Sequence, residues 1–380
     1  MATEEKSQKA DSPPTPQETS IIDACERADI DELRRIAITP GGFLSDGLRS
    51  EAWPVLLGFR TKDESGNADS LWRQLPRHRD EDQVKLDVDR SFVYYPNDNS
   101  QAELDEKKAE LLDLITEVLR KQPYLCYFQG YHDICQVLLL VLPPASRARA
   151  VSRLSVLRIR DFMLPTLSPA IAHLRLIPDL LQAVDPELCH HLSRNEPYFA
   201  LSDTLTMFAH NIQRYSDIAR LFDVLIAREQ VFSIYIFTQI VIMRRDELLE
   251  HEEPDMLHFF LSKLPPDLDL ETVITDASLL FDKHPPTSLR AWRRISIASV
   301  LKTTMDANAL ASQSLQHGHN LFEKQARELM WADRRQKALH TAHKNRTVLL
   351  AVLVGVGAVY LRNAGVWRGV VALAARWWRN

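Results

Sequence analysis

Two side chains in this sequence sit where their types and spacing could do chemistry. Arg90 closes VKLDVDR (84–90), three residues after Asp87, which is the i,i+3 spacing of a helical ion pair. Gln129 lies in YFQGYHDI (127–134), directly before Gly130. Arginine stays protonated and offers a rigid planar fork of donors, so it suits the neutralising of anionic oxygens. A glutamine amide accepts through oxygen and donates through nitrogen, so it can hold a water. Arg49 and Trp53, in GLRSEAWPVLLG (47–58), form a third group. Each has an ordinary account when taken alone. Asp87 and Arg90 make a surface ion pair of little weight, Gln129 is a polar turn residue, and Arg49 with Trp53 is stacking on a helix surface.

Other chemistries find less support. Cys25, Cys126, Cys135 and Cys189 have no CxxC spacing, which reads as buried thiols in a reducing compartment. Cys189-His190-His191 and His317-Gly318-His319 look like ligand clusters, but no HExxH occurs. Neighbours on a helix point about 100° apart and do not converge on one ion, so no metal site is expected. Of the 11 glycines, four (Gly355, Gly357, Gly365, Gly369) fall in the last 26 residues. With neither GxxxxGK[ST] nor GxGxxG, a phosphate-loop or dinucleotide enzyme is disfavoured. A net charge of −5 argues against nucleic acid as a partner. One Asp-Gly pair, Asp46-Gly47, and no Asn-Gly pair argue against a β-rich fold.

The elements that must position these residues are helical. The 380 residues allow two or three domains, and 45% hydrophobic with 26% charged residues is an ordinary globular composition. Residues 1–20 are polar, hold three prolines and lack the apolar core of a signal peptide; they are expected to be disordered. Helical periodicity begins near Ile21, giving an N-terminal helix within 21–45. It is clearest over 101–121, where Leu104, Leu111, Leu112, Ile115, Val118 and Leu119 form one face. Further patterns cover 130–142, 148–162, 168–184, 201–213, 215–228, 231–249 and 254–263, punctuated by prolines. The expected fold is all-α, with many short helices ending near Pro285-Pro286 and a helical linker over 289–346. VFSIYIFTQIVIM (231–243), thirteen residues long, is short for a membrane span and reads as domain core.

The C-terminal segment, 347–380, differs in kind. TVLLAVLVGVGAVYL (347–361) carries no charge over fifteen residues. A helix of that length reaches about 22 Å, short of the roughly 30 Å of a hydrocarbon core. Arg362 and Asn363 interrupt it, and Tyr360, Trp367, Trp377 and Trp378 suit a membrane interface. It is read as an anchor inserted through 347–378, with a single span and a hairpin both open. A thin bilayer suits it best.

Taken together and in order, the motifs become specific. RxxxWxxLLG (49–58), [IV]xxDxxR (84–90) and YxQGYxDI (127–134) resemble the three signature motifs of the TBC domain family, which activates Rab GTPases. Arg49 to Arg90 spans 41 residues and Arg90 to Gln129 spans 39. Val84 replaces the usual isoleucine of the second motif, and Tyr131 stands where methionine is frequent in the third. The resemblance covers roughly 46–285, taken as a domain over 46–288, and implies an all-α fold. It implies that Arg90 is an arginine finger and Gln129 a glutamine finger, both supplied in trans. Asp87 would orient Arg90 or cap its helix, Tyr127 and Gly130 would shape the glutamine loop, and Arg49 and Trp53 would be structural. The chain would need no cofactor of its own and no nucleotide site, since GTP and Mg²⁺ belong to the Rab. The hydrophobic tail most resembles a membrane-bound member of the early secretory pathway. That implies a GTP-bound Rab of that pathway as partner, the lipid bilayer as a second, and residence at endoplasmic reticulum or early Golgi membranes with the globular domain in the cytosol. The alternative is a catalytically inactive, tail-anchored helical scaffold or Rab effector.

Overall fold

Thr15 begins the first helix. Its hydroxyl accepts from the Glu18 N–H while the Glu18 carboxylate accepts from the Thr15 N–H, and Pro16 opens the helix. The computed structural model describes residues 13–60, 70–96 and 100–345, with 354–357, 359, 374 and 378 beyond. The described elements are helices and turns. They are α1 (Pro16–Arg27), α2 (Ile30–Ala37), α3 (Asp46–Leu56), α4 (Glu81–Val88), α5 (Gln101–Lys121), α6 (Tyr131–Val141) and α7 (Pro144–Arg153). Then come α8 (Ser168–Leu174), α9 (Leu176–Val184), α10 (Pro186–His191), α11 (Leu201–Leu205), α12 (Tyr215–Ala227) and α13 (Phe232–Met243). The series closes with α14 (Arg245–Leu249), α15 (Pro254–Leu261), α16 (Leu270–Lys283), α17 (Val300–Thr303), α18 (Ala307–Ser312) and α19 (Leu315–Lys344). Contacts gather into two compact units, Met1–Gln325 and Ala326–Asn380.

Within the first unit α6 is a central element. Its apolar residues Ile134, Cys135, Val137, Leu138 and Leu139 are buried, and it packs against α3, α4, α5, α7 and α12. The 231–243 run is core: every residue from Val231 to Val241 is buried in α13, which packs on α16 and α9. The one awkward polar group there, the Gln239 amide, donates to Asp276 Oδ2 at 3.3 Å.

Several expectations shift; the 168–184 and 231–249 patterns, for instance, are each two helices. The first helix begins at Pro16, inside the tail expected over 1–20, because the capping box fixes its start. The helix expected within 21–45 is two, broken at Ala28, a left-handed residue. The 148–162 pattern is not one α-helix. After α7 the backbone widens over Leu154–Arg158, where Ile159 N–H reaches Leu154 C=O, and then tightens over Arg160–Met163. The 201–213 pattern stops at Leu205, and buried Met207 and Phe208 take positive φ. Burial of these two side chains overrides helix propensity there.

Residues 289–325, read from the sequence as the start of a linker, pack onto the domain instead, against α9, α2, α3 and the buried pair Arg160 and Asp161. Asp161 is fully buried, and its carboxylate accepts from His173 Nε2 (2.9 Å), Val300 N–H (3.1 Å), Gln325 Nε2 (2.8 Å) and the Ser299 hydroxyl. Arg160 beside it donates to the carbonyls of Val156 and Ala298 and to Gln325 Oε1. The second unit is described only in part. Met330, Trp331 and Leu339 on the later turns of α19 are exposed. Among the described residues no helix is long and apolar enough to cross a membrane. The expected anchor over 347–378, and residues 1–12 of the expected tail, lie largely outside the described residues.

The Asp161 network makes a pH-dependent contribution. Burial works against its charge, but the His173 hydrogen bond and charge, with Arg160, outweigh burial and hold its pKa down at about 2. A depressed carboxylate stabilises the fold at any pH above its unfolded value near 4 and loses that contribution as pH falls toward 2. Asp161→Asn should therefore destabilise at neutral pH by about 3 kcal/mol or more and flatten the acid limb between pH 4 and 2. Denaturant melts across that range measure both, and an Asp161→Asn curve parallel to wild type would contradict the assignment.

Candidate functional site

The three motifs of the sequence fold into two places. The second and third meet at one cleft. Arg90 follows α4 in a turn closed by Arg90 N–H to Asp87 C=O at 3.1 Å. Gln129 and Gly130 lead into α6. A cleft of about 210 Å³ is lined by Asp87, Arg90, Tyr95, Gln129, His132 and Asp133, and by the 209–210 turn.

Asp87 is the anchor of this cleft. It is 1% exposed, and its carboxylate takes donors from three places. Oδ1 accepts from Arg90 Nη2 at 2.8 Å and from Gln83 Nε2 at 3.1 Å. Oδ2 accepts from the Tyr127 hydroxyl at 2.9 Å. The motif arginine and the motif tyrosine thus share one carboxylate, which ties the arginine turn to the glutamine loop. Arg90 also donates through Nε to Leu86 C=O at 3.2 Å, yet its side chain stays 68% exposed. Gln129 is exposed, and its amide has no partner among the described residues. Burial first, then the negative Asp87, pushes the Tyr127 phenol pKa far up, so it remains a donor.

Gly130 is needed at its position. Its φ is +97°, and a Cβ there would stand 2.5 Å from Thr206 Cγ2. The loop that follows Arg90 is held as tightly: Gln136 on α6, buried, accepts from Phe92 N–H at 3.0 Å, and Tyr95 OH donates to Ala209 C=O at 3.3 Å. Reasoning from sequence assigned no role to Gln136, His132, Asp133 or His210. His132 Nδ1 lies 3.2 Å from the Tyr127 hydroxyl, and burial lowers its pKa. His210 Nδ1 pairs with Asp133 Oδ2 at 3.0 Å, and that bond raises the His210 pKa. Nearby Asp203 is fully buried, and burial pushes it up to about 7; one oxygen accepts from Asn211 and the other has no partner among the described residues. Asp133 stood within the third motif and could have been marked; nothing in the sequence around His210 pointed to the cleft.

Arg49 and Trp53, expected to stack and pack on a helix, lie elsewhere and are held by hydrogen bonds. Both are buried and converge on Asp223 of α12, which is fully buried. Arg49 Nε reaches Asp223 Oδ1 at 3.0 Å, Nη2 reaches Oδ2 at 3.1 Å, and Trp53 Nε1 reaches Oδ1 at 2.9 Å. Phe43 N–H adds a fourth donor at 3.1 Å. Burial opposes the Arg49 charge, but Asp223 and Asp46 more than offset it and raise its pKa. His191, near Cys189, bonds the fold: its Nε2 lies within 3.0 Å of the carbonyls of both Leu248 and His251.

Known proteins resemble this chain in sequence and in fold. The Rab-GTPase-TBC domain family matches residues 46–249. The chain is 34% identical over 345 residues to TBC1 domain family member 20 of Bos taurus, covering 88% of this chain and 85% of that one. It is 34% identical over 311 residues to the GTPase-activating protein gyp10 of Schizosaccharomyces pombe, covering 80% and 82%. The fold resembles the crystal structure of the Ypt/Rab-GAP domain of Gyp1p, with TM-score 0.54, 15% identity, and coverage of 70% of this chain and 99% of that one. A Chlamydomonas flagellar RabGAP TBC domain gives TM-score 0.52 at 13% identity, covering 70% and 96%.

Gly130→Ala should strain the glutamine loop on two counts, positive φ and contact with Thr206. The expected cost is about 1–3 kcal/mol. Adding Thr206→Ser removes the clashing methyl and should recover part of the loss in a thermal melt. No recovery would place the whole cost in the backbone, and an unchanged Gly130→Ala melt would contradict both.

Proposed function

The chain belongs to the Rab-GTPase-TBC domain family, and from that premise we propose that its GTPase-activating function is carried by Arg90 and Gln129, inserted in trans into a GTP-bound Rab. The observation that carries this reading is that the two side chains line one cleft, both exposed, while Asp87, which holds Arg90, is buried. A Rab supplies the nucleotide and Mg²⁺. Hydrolysis spreads negative charge over the γ-phosphoryl oxygens and the leaving oxygen. The Arg90 guanidinium would exchange Asp87 for those oxygens, or share its donors between them, once docking excludes water and strengthens the interaction. Asp87 keeps Gln83 and Tyr127 as partners when Arg90 leaves. The Gln129 amide would hold the attacking water, accepting from it through oxygen and donating to the phosphate side through nitrogen. Leu86, Val93 and Tyr94, exposed on the segment around Arg90, offer apolar surface for the GTPase to cover.

The same reading includes the tail. Insertion of 347–378 into endoplasmic reticulum or early Golgi membrane would place the catalytic unit in the cytosol, on the surface that carries its GTPase. There it raises effective concentration without a new contact. A GTPase of the early secretory pathway is the corresponding substrate.

Single-turnover GTP hydrolysis by a panel of Rabs tests the catalytic assignment. Arg90→Ala should lose on the order of 10³ in stimulated rate, Arg90→Lys should recover little because a point charge lacks the fork, and Gln129→Ala should lose a smaller but clear factor. The melting point of Gln129→Ala should stay near wild type, and that of Arg90→Ala should fall only modestly, since buried Asp87 loses one donor but keeps Gln83 and Tyr127. Near-full stimulation by Arg90→Ala would overturn the assignment and leave the ion pair with Asp87 as the account of Arg90. No stimulation of any Rab by the wild-type chain would favour the scaffold.

A further inference from the structure

The segment after α16 alternates with a period of three. Leu289, Trp292, Ile295 and Ala298 are buried, while Arg290, Arg293, Arg294 and Ile297 are exposed. A tight turn over Ala291–Arg294 lies in the middle of this segment and sets Trp292 and Ile295 one turn apart. Among the described residues the three exposed arginines form no ion pair, in a chain whose net charge is −5. Arg175, also exposed, sits at the start of α9, the helix whose Asp179 carboxylate is occupied by the Ala291 N–H at 2.6 Å. Asp282 is the exposed acid near this segment in sequence.

Ile297 is the anomaly. It is 69% exposed, at the second position of a turn closed by Ser299 N–H to Ser296 C=O at 3.1 Å. The turn cannot fold back to hide it, because the next residues are held from beneath. Arg160 donates to the Ala298 carbonyl, and Ser299 and Val300 donate to the buried Asp161 carboxylate. A buried ionic network that the catalytic cleft does not use therefore mounts a branched apolar side chain beside a row of unpaired arginines.

We propose that residues 290–297 form a second membrane contact, in which the arginines take the anionic headgroups of a lipid surface and Ile297 enters the interface. Unpaired guanidinium groups bind phosphate forks, and basic residues with an apolar side chain among them suit an anionic leaflet. Nucleic acid would use the arginines but give Ile297 no role, and the acidic chain as a whole opposes it. This goes beyond the proposed C-terminal anchor and is independent of it: an anchor fixes distance from the membrane, whereas this surface fixes the face presented to it.

Hydrogen exchange of the full-length chain on two vesicle types tests the proposal. One type contains phosphatidylcholine alone, the other phosphatidylcholine with phosphatidylserine. Amides of 290–298 should be protected on the phosphatidylserine vesicles and not on the neutral ones, and about 0.5 M salt should remove the protection by screening. Arg293→Glu with Arg294→Glu should weaken the effect at least about tenfold, and Ile297→Ser should weaken it with the arginines intact, both at unchanged melting temperature. Equal exchange on both vesicle types would overturn the proposal. So would equal protection by a DNA oligonucleotide, which would make the site a general polyanion contact. Retention of the chain on neutral vesicles reads the C-terminal anchor separately, so failure of either contact is seen without the other.

Discussion

The arrangement depends on the burial of one carboxylate. Asp87, 1% exposed, has given up its hydration and must be met by donors or be lost as a charge. The donors come from α4 itself, from the turn after it and from the loop before α6: Gln83, Arg90 and Tyr127. Because one small group satisfies all three, the arginine turn and the glutamine loop cannot drift apart. Arg90 and Gln129 are the exposed side chains that this frame presents. Arg90 has one foot on Asp87 and most of its surface in water, which leaves it ordered enough to be aimed and free enough to extend.

The same device recurs. Asp223 gathers Arg49, Trp53 and the Phe43 backbone, joining the segment before α3, α3 itself and α12. Asp161 gathers His173, Ser299, Val300 and Gln325. Most helices here have under fifteen residues, and a short helix buries little apolar surface with which to fix its neighbours. A buried acid with three or four directed donors specifies register that side-chain packing alone leaves loose. Buried ion pairs are weak evidence of net stability; their contribution here is to place segments far apart in sequence.

Local order was legible in the sequence and long-range order was not. The 101–121 periodicity matches α5 at both ends; Ser100 and Glu103 cap its start, and Leu111, Ile115, Val118 and Leu119 are buried along it. The 231–243 run was legible as core from its length. The three motifs pointed to the family, and residues of the second and third line one cleft, while those of the first lie elsewhere on Asp223. What escaped was set by contacts at distance. Asp223 lies 174 residues from Arg49, and no local pattern marks it as the partner. His210 reaches the cleft only because Met207 and Phe208 are buried in left-handed conformations that end α11 early. Residues 289–325 resemble a linker until Asp161 and Arg160 are seen to hold them. The start of α1 was legible in principle, as Thr15-Pro16-Gln17-Glu18, but polar composition hid it.

The central claim is that Arg90 meets charge that exists only in the transition state. Binding to a Rab loaded with GDP and aluminium fluoride, compared with the same Rab holding GDP alone, measures this directly, since the fluoride complex mimics the transferring phosphoryl group. The account predicts at least a ~100-fold preference of the wild-type chain for the fluoride complex, and loss of that preference in Arg90→Ala. Equal affinity of the wild-type chain for both forms, with a responsive Rab, would contradict it.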